Sequence, residues 1–414
     1  KYRITRRDFL NGVAIGTGTT LLAPAELFAQ AAAGGASEYY PPILNGVRGS
    51  HPGSFEVMHA LAWGGQKPAE HRKLDEHYDM VIVGAGISGL AAARFYQKRM
   101  GPDAKILLLD NHDDFGGHAK RNEFHHDGQM RLGIGGSVNL DGPDSYSKIS
   151  KGLLNDLGVD LELMQSNMKD IGFLSPMADS VLAVPGPDGH VKVRGEWIKL
   201  MLGIGDYESA VRALPLPAAE QDKLIELISG DRDYLEDLSL SEKSTYIESV
   251  SYAEFLTERV GFAKKTVPIF YPFPKLMAGP AASRLSVLEA FYLGNPGMRG
   301  MSWLGDLVTQ LIEGLMAGYQ TLYFADGNAS VPRLLVHKMI PAVAPDTKGF
   351  DDIATSQFDY DALDLEQHPV RIRLNSTVVG VRETRDDVVT VDYVREGNAV
   401  SVTGDHCVLA CYNG

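Results

Sequence analysis

The chain has 414 residues, a hydrophobic share of 44% and a formal charge of −14 at neutral pH. An acidic balance of that size argues against nucleic acid and anionic membrane surfaces as partners. The apolar share permits a sizeable core in one large two-part domain or two domains.

The first 31 residues read as an address rather than as fold. Thr5-Arg6-Arg7-Asp8-Phe9-Leu10 resembles the twin-arginine export motif, Val13 to Ala23 is apolar, and Ala29-Gln30-Ala31 suits a signal peptidase. The apolar stretch is much shorter than the roughly 20 residues a membrane span needs. This predicts a periplasmic protein exported in the folded state, and no membrane span. The missing initiator Met suggests a sequence that begins as a fragment. Residues 32–78 read as an irregular lead segment carrying His51, His59, His71 and His77.

Met80 to Gly117 is the most informative stretch. The apolar run Met80-Val81-Ile82-Val83 enters Gly84-Ala85-Gly86-Ile87-Ser88-Gly89, and a helical run, Leu90 to Met100, follows. A second apolar run, Ile106 to Leu109, ends at Asp110. Strand, glycine turn, helix and strand make a dinucleotide site. Gly84 allows the turn, Gly86 admits the pyrophosphate to the backbone, and Gly89 lets helix and strand pack. The helix-start amides then face the phosphates. Asp110 lies 21 residues after Gly89, near the usual spacing of about 20 for a carboxylate on ribose hydroxyls. That carboxylate disfavours NADP; FAD and NAD both remain open on this unit alone.

The remaining elements follow in order. Ile149 to Leu157 and Tyr252 to Val260 carry helical periodicity. Val181 to Val193, broken by Pro-Asp-Gly, predicts a hairpin. Strands are expected near Val370 to Val381, Val388 to Val394 and Val400 to Ala410. The only cysteines, Cys407 and Cys411, read as small core residues of the last strand. At about 3.3 Å per residue they would lie about 13 Å apart, too far for a disulfide. The chain has no C-x-x-C-H, which excludes c-type haem attachment.

The segment Asp110-Asn111-His112-Asp113-Asp114-Phe115-Gly116-Gly117-His118 resembles the acid-to-Gly-Gly segment of the flavin amine oxidase family. Leu132-Gly133-Ile134-Gly135-Gly136-Ser137 resembles that family's glycine strip beside the flavin ring. Phe324 to Leu335 resembles its glycine turn before the returning helix, and Val370 to Val381 resembles the strand whose valine, here Val378, meets adenine. Tyr40 to Glu56 resembles the lead segment of exported bacterial spermidine dehydrogenases.

The resemblance implies FAD, an α/β fold and hydride removal from an amine C–N bond. In that fold a Rossmann-like parallel sheet with an antiparallel meander carries an inserted, mainly helical substrate domain. Expected boundaries are 79–145 and 321–414 for the cofactor domain and 146–320 for the insert. The implied substrate is a small-molecule amine, a polyamine such as spermidine, with electrons passed to an acceptor other than oxygen. Some enzymes of this type also hold a non-covalent haem, which would make His51 or His59 an axial ligand.

The implied cofactor residues are Gly84, Ala85, Gly86, Ile87, Ser88, Gly89, Asp110, Asn111, Gly116, Gly117, His118, Gly135, Gly136, Ser137 and Val378. No protein metal site is expected. Departures are Asp110 where the family usually has Glu, and His112 and His118 where it usually has Arg. His112 reads as a solvated loop residue. The family's lysine near the flavin, aromatic pair and final flavin motif would come after Gly414, so no catalytic residue is assigned and the sequence looks truncated. A carotenoid desaturase, an amino-acid oxidase or a non-enzymatic flavin-binding protein are the alternatives.

Overall fold

Unbroken apolar runs suit strands covered on both faces, and the two runs flanking the glycine turn pair in parallel, Met80 with Ile106 through Val83 with Leu109. The structure, a computed structural model, describes residues 39–44, 51, 53–68, 70–167, 180–186, 189–195, 206–230, 232–271, 279, 283–293, 295–297, 300, 301, 321–383 and 388–412. The expected export signal, residues 1–31, lies outside them.

In chain order, helix α1 (Glu56–Ala62) leads to strand β1 (Arg72–Val83), helix α2 (Ile87–Met100) and strand β2 (Ile106–Leu109). Strands β3 (Arg121–His126), β4 (Gln129–Ile134) and β5 (Asn139–Asp141) precede helices α3 (Lys148–Asp156) and α4 (Leu161–Asn167). Next come strands β6 (Ser180–Gly186) and β7 (Gly189–Gly195) and helices α5 (Tyr207–Arg212), α6 (Ala218–Ser229), α7 (Leu240–Ser249), α8 (Tyr252–Glu258) and α9 (Val287–Tyr292). Strand β8 (Thr321–Tyr323), helices α10 (Ser330–Met339) and α11 (Phe350–Ile353), and strands β9 (Val370–Arg373), β10 (Ser376–Glu383), β11 (Val389–Arg395) and β12 (Asn398–Leu409) close the order.

The chain divides into two units, Lys1–Met168 with Gln320–Gly414, and Lys169–Tyr319. The division falls later than the residue 145 expected from sequence. Helices α3 and α4 stay with the first unit, because Leu154, Leu157, Val159 and Met164 join its core.

The first unit is a mixed α/β structure on a Rossmann-like sheet, in the order β10-β11-β12-β1-β2-β9. Strands β12, β1, β2 and β9 run parallel, and β10, β11 and β12 form an antiparallel meander. Side chains alternate along each strand. Met80, Ile82, Ile106 and Leu108 enter a core with Leu90 and Ala93 of α2 and Leu334 and Leu335 of α10. Tyr78, Val81, Leu107 and Leu109 enter another, with Val391, Tyr393, Val400 and Val402 of the meander. Each buried Leu, Ile or Val contributes about 1.5–3 kcal/mol.

Three sequence expectations are corrected here. The lead segment is not wholly irregular. It holds α1, and β1 begins at Arg72 because its polar half pairs with the start of β12, Arg72 opposite Val400. Residues 370–381 form two strands, not one, because Asn375 adopts φ 53° and turns the chain between β9 and β10. Cys407 is half-buried and Cys411 exposed, rather than core residues. The ladder between β11 and β12 ends at Gly404, so the stretch carrying Cys407 pairs with β1 alone.

The second unit has its own core, in which Leu227, Tyr252, Phe255, Phe270 and Phe291 are almost wholly buried. Its helices start where sequence chemistry favours a start: Ser239 with Glu242 and Ser286 with Glu289 form capping boxes on α7 and α9. The expected hairpin is present as β6 and β7, paired from Ser180 opposite Gly195. Among the described residues no helix is long and apolar enough to cross a membrane.

Candidate dinucleotide site

Strand β1 delivers the chain into the glycine turn at the carboxyl end of the parallel sheet. Gly84 N–H donates to Leu109 O at 2.7 Å, and Ala410 N–H donates to Val83 O at 2.8 Å, so β2 and β12 fix the turn from both sides. Gly86 caps α2 with φ −73° and ψ 179°. Gly89 sits so close beneath the turn that a Cβ there would meet Gly84 O at 1.9 Å, which makes glycine obligatory. Gly86, Ile87 and Ser88 remain partly or fully accessible, while Ala85, Gly89 and Leu90 are buried. The amides that start the helix therefore face an open surface, with the favourable end of the helix dipole behind them.

The second glycine turn lies directly opposite. Gly116 N–H donates to Ala85 O at 2.8 Å, and Gly86 and Gly116 form an isolated parallel bridge. A Cβ on Gly86 would stand 3.8 Å from Gly117 Cα, and one on Gly117 would stand 3.3 Å from Gly86 Cα. Two side-chain-free backbones thus face each other, with Gly117 and His118 exposed at the rim. The turns meet in backbone contact and leave a side-chain-free rim, a candidate place for a diphosphate.

Asp110 ties the two turns together. Its Oδ2 accepts from Ala85 N–H at 2.7 Å, and its Oδ1 accepts from His112 N–H at 2.9 Å and pairs with His112 Nδ1 at 3.1 Å. Burial opposes ionisation of this carboxyl, but the bonds from His112 and Ala85 outweigh it and hold the carboxyl below its ordinary range. A carboxylate offers about four acceptor positions, so capacity remains beyond these three contacts. His112 is corrected from a solvated loop residue to a partner of Asp110 with its side chain 30% exposed.

The third glycine strip is reached through the same loop. Gly135 packs on Lys120 O and Gly136 on His118 O. Ser137 O accepts from Asn328 N–H at 3.0 Å, and Ser137 Oγ accepts from Asn328 Nδ2 at 2.9 Å. The sequence-predicted residues from Gly84 to Ser137 therefore form a chain of touching backbones. Two predicted residues stand apart from it. Asn111 Nδ2 donates to Ser54 O at 2.7 Å, so its amide holds the lead segment. Val378 packs on the meander core, two residues past Ser376, whose N–H donates to Asp110 O at 2.7 Å.

Sequence reasoning missed the residues that hold this site in place. Tyr39, His51 and Ser54 of the lead segment grip the loop after β2. Behind the glycine strip lies a buried ionic network. Arg121 pairs with Glu123 and, at 3.0 Å, with Asp326; Tyr40 Oη donates to Glu123 at 2.6 Å; Ser330 Oγ donates to Asp326 at 2.6 Å. No local pattern marks this network, since the pairs that join its parts, Tyr40 with Glu123 and Arg121 with Asp326, are remote in sequence.

The haem expectation gains no support at either histidine. His51 Nε2 accepts from Asp113 N–H at 3.1 Å, and the His59 ring stacks on Trp63 with centroids 3.9 Å apart. Among the described residues no group of three or more His, Cys, Asp or Glu is placed to hold a metal ion.

Residues 82–157 match a family described as an NAD(P)-binding Rossmann-like domain. No curated protein matches the chain. Among solved structures, a triple mutant of putrescine oxidase with redesigned cofactor binding is 17% identical, covering 81% of this chain and 58% of its own, with a TM-score of 0.39. Wild-type putrescine oxidase bound to putrescine is also 17% identical with the same coverage, at a TM-score of 0.37. A fatty acid isomerase of P. acnes that produces CLA is 14% identical, covering 81% of this chain and 59% of its own, at a TM-score of 0.33. The chain spans about three fifths of the length of these structures.

Proposed function

We propose that the chain binds FAD between its paired glycine turns and is the cofactor-holding part of an amine oxidoreductase. The apposition of Gly86 and Gly117 above the pinned Asp110 carries this reading. In it, the amides of Ile87, Ser88 and Gly89 take the pyrophosphate, Asp110 and Asn111 face the ribose side, and Gly116, Gly117 and His118 line the opposite rim. Gly135, Gly136 and Ser137 continue toward the flavin ring, and the Val378 backbone meets adenine. Bound FAD supplies, at N5, the acceptor for a hydride from the amine α-carbon.

The amine substrate rests on the lead segment Tyr40 to Glu56 and its resemblance to spermidine dehydrogenases. A polyamine such as spermidine is the proposed substrate. The protein is expected to purify yellow, and spermidine is expected to bleach the oxidised-flavin band without oxygen. Bound FAD that a panel of polyamines leaves oxidised sinks the substrate and keeps the site. Failure to bind any dinucleotide sinks both.

The proposal extends to export through the twin-arginine machinery, on the strength of Arg6 and Arg7. Replacing both by Lys is expected to strand the protein in the cytoplasm. An unchanged periplasmic yield on cell fractionation would refute the address.

A further inference from the structure

Asn328 holds Ser137 at two points. Asn328 N–H donates to Ser137 O at 3.0 Å, and Asn328 Nδ2 donates to Ser137 Oγ at 2.9 Å. The same Nδ2 donates to Asn139 O at 2.9 Å. A backbone carbonyl only accepts, so this contact fixes which end of the Asn328 amide is nitrogen. Both amide hydrogens are then spent, one on Asn139 and one on Ser137. Asn328 is 8% exposed, and its Oδ1 is buried with no partner among the described residues. The side chain is thus seated by what it donates.

That seating decides the polarity of Ser137. An amide nitrogen gives hydrogens and takes none, so Ser137 Oγ serves it as an acceptor. The serine's own proton is turned elsewhere, and it meets no acceptor among the described residues. Asn328 is buried, Ser137 is partly accessible, and Gly136 beside it is exposed. The hydroxyl therefore stands between a buried amide and an open glycine strip.

We propose that Asn328 is a positioning residue that makes Ser137 a hydrogen-bond donor to the bound cofactor. The group it meets is then an acceptor on the flavin ring, a carbonyl oxygen or a ring nitrogen. This rests on the FAD reading above and adds a polarity to it. A serine hydroxyl left to itself both gives and takes, and would suit a ring N–H equally well. Held by Asn328, it selects for an acceptor. Asn328 acts through Ser137 and not on the ligand, because both its hydrogens are committed and its oxygen is closed off. The turn that carries it is itself fixed, since Asp326 pairs with Arg121 and Gly327 packs on Ser137 O.

The test is FAD titration of the full chain as wild type, Ser137→Ala, Asn328→Asp and the double variant. Thermal unfolding without FAD checks that each one folds. Ser137→Ala is expected to weaken FAD binding roughly tenfold, the scale of one hydrogen bond. Asn328→Asp has nearly the same shape, but its carboxylate accepts the serine's hydrogen, so a loss of similar size is expected. On the Ser137→Ala background Asn328→Asp is expected to cost little more, since the hydroxyl it acts through is gone. Asn328→Ala, which removes the donor without adding a charge, serves where Asn328→Asp does not fold. Its loss is likewise expected to vanish on that background. The vibrational bands of the ring carbonyls and C=N bonds of bound FAD read the contact directly. Ser137→Ala and Asn328→Asp are expected to shift the same bands in the same direction. Losses that multiply in the double variant, or ring bands unmoved by Ser137→Ala, overturn the proposal and spare the site. Wild-type protein that binds no FAD overturns the site reading and this inference with it.

Discussion

Gly86→Val is expected to leave the chain folded and to weaken FAD binding by at least about 100-fold, or about 2.7 kcal/mol. The backbone at Gly86 has φ −73°, which any residue adopts, so the variant stores no backbone strain. Its Cβ would stand at ordinary contact distance, 3.8 Å from Gly117 Cα, but the branched side chain would cover the accessible rim on which the diphosphate is proposed to lie. The damage falls on the ligand. Gly89→Ala inverts this outcome. Its methyl would stand 1.9 Å from Gly84 O, and backbone cannot yield as a flexible side chain does. Strain of about 3 kcal/mol is expected, lowering the melting temperature of the unliganded chain by roughly 3–6 °C. Calorimetry without ligand and FAD titration separate the two variants. Equal melting losses for both, or full FAD affinity in Gly86→Val, would place the cradle elsewhere.

The turns were legible because their signal is local. Each glycine interrupts an apolar run at a spacing that the dinucleotide imposes, so Gly84 to Gly89 and Asp110 could be placed without knowing any partner. The strand pair around them was legible for the same reason. The polar half of β1 was not, because Arg72 to Tyr78 alternates weakly and becomes strand only by pairing with β12. The corner at Asn375 was hidden because it needs one left-handed residue inside an apolar stretch, and Asn is among the few that tolerate it. The boundary of the insert was misplaced because α3 and α4 look like any amphipathic helices, and only the destination of Leu154 and Met164 assigns them.

Lead segment, glycine strip and returning helix are therefore joined by side chains that no window of sequence connects. Arg121 and Asp326 are 205 positions apart, yet their pairing sets the glycine strip against the turn at Gly327. A Cβ at Gly327 would meet Ser137 O at 3.0 Å, so that turn is in close contact with the strip. Any loosening of the ion pair should reach the glycine strip before it reaches the sheet.

Asp326→Ala is accordingly expected to cost about 3–5 kcal/mol, the range for removing one partner of a buried pair. Asp326 is fully buried, and Arg121 is 3% exposed. Burial opposes the charge on Arg121, but Glu123 and Asp326 outweigh it and raise its pKa above the ordinary value. Removing Asp326 strips one of those carboxylates and leaves Ser330 Oγ without its acceptor. Asp326→Asn keeps one oxygen, which can stay with Arg121 while its amide donates to Ser330 Oγ, but loses the charge, so a smaller cost, about 1–2 kcal/mol, is expected. The order Ala worse than Asn, read from urea unfolding of the unliganded chain, tests the network as an ionic one. A loss for Asp326→Ala within about 0.5 kcal/mol of wild type, the range of an ordinary surface substitution, would show that the pair does not hold the site. Because Gly327 follows Asp326 directly and rests on the glycine strip, FAD is also expected to leave Asp326→Asn faster than wild type, even where that variant remains fully folded.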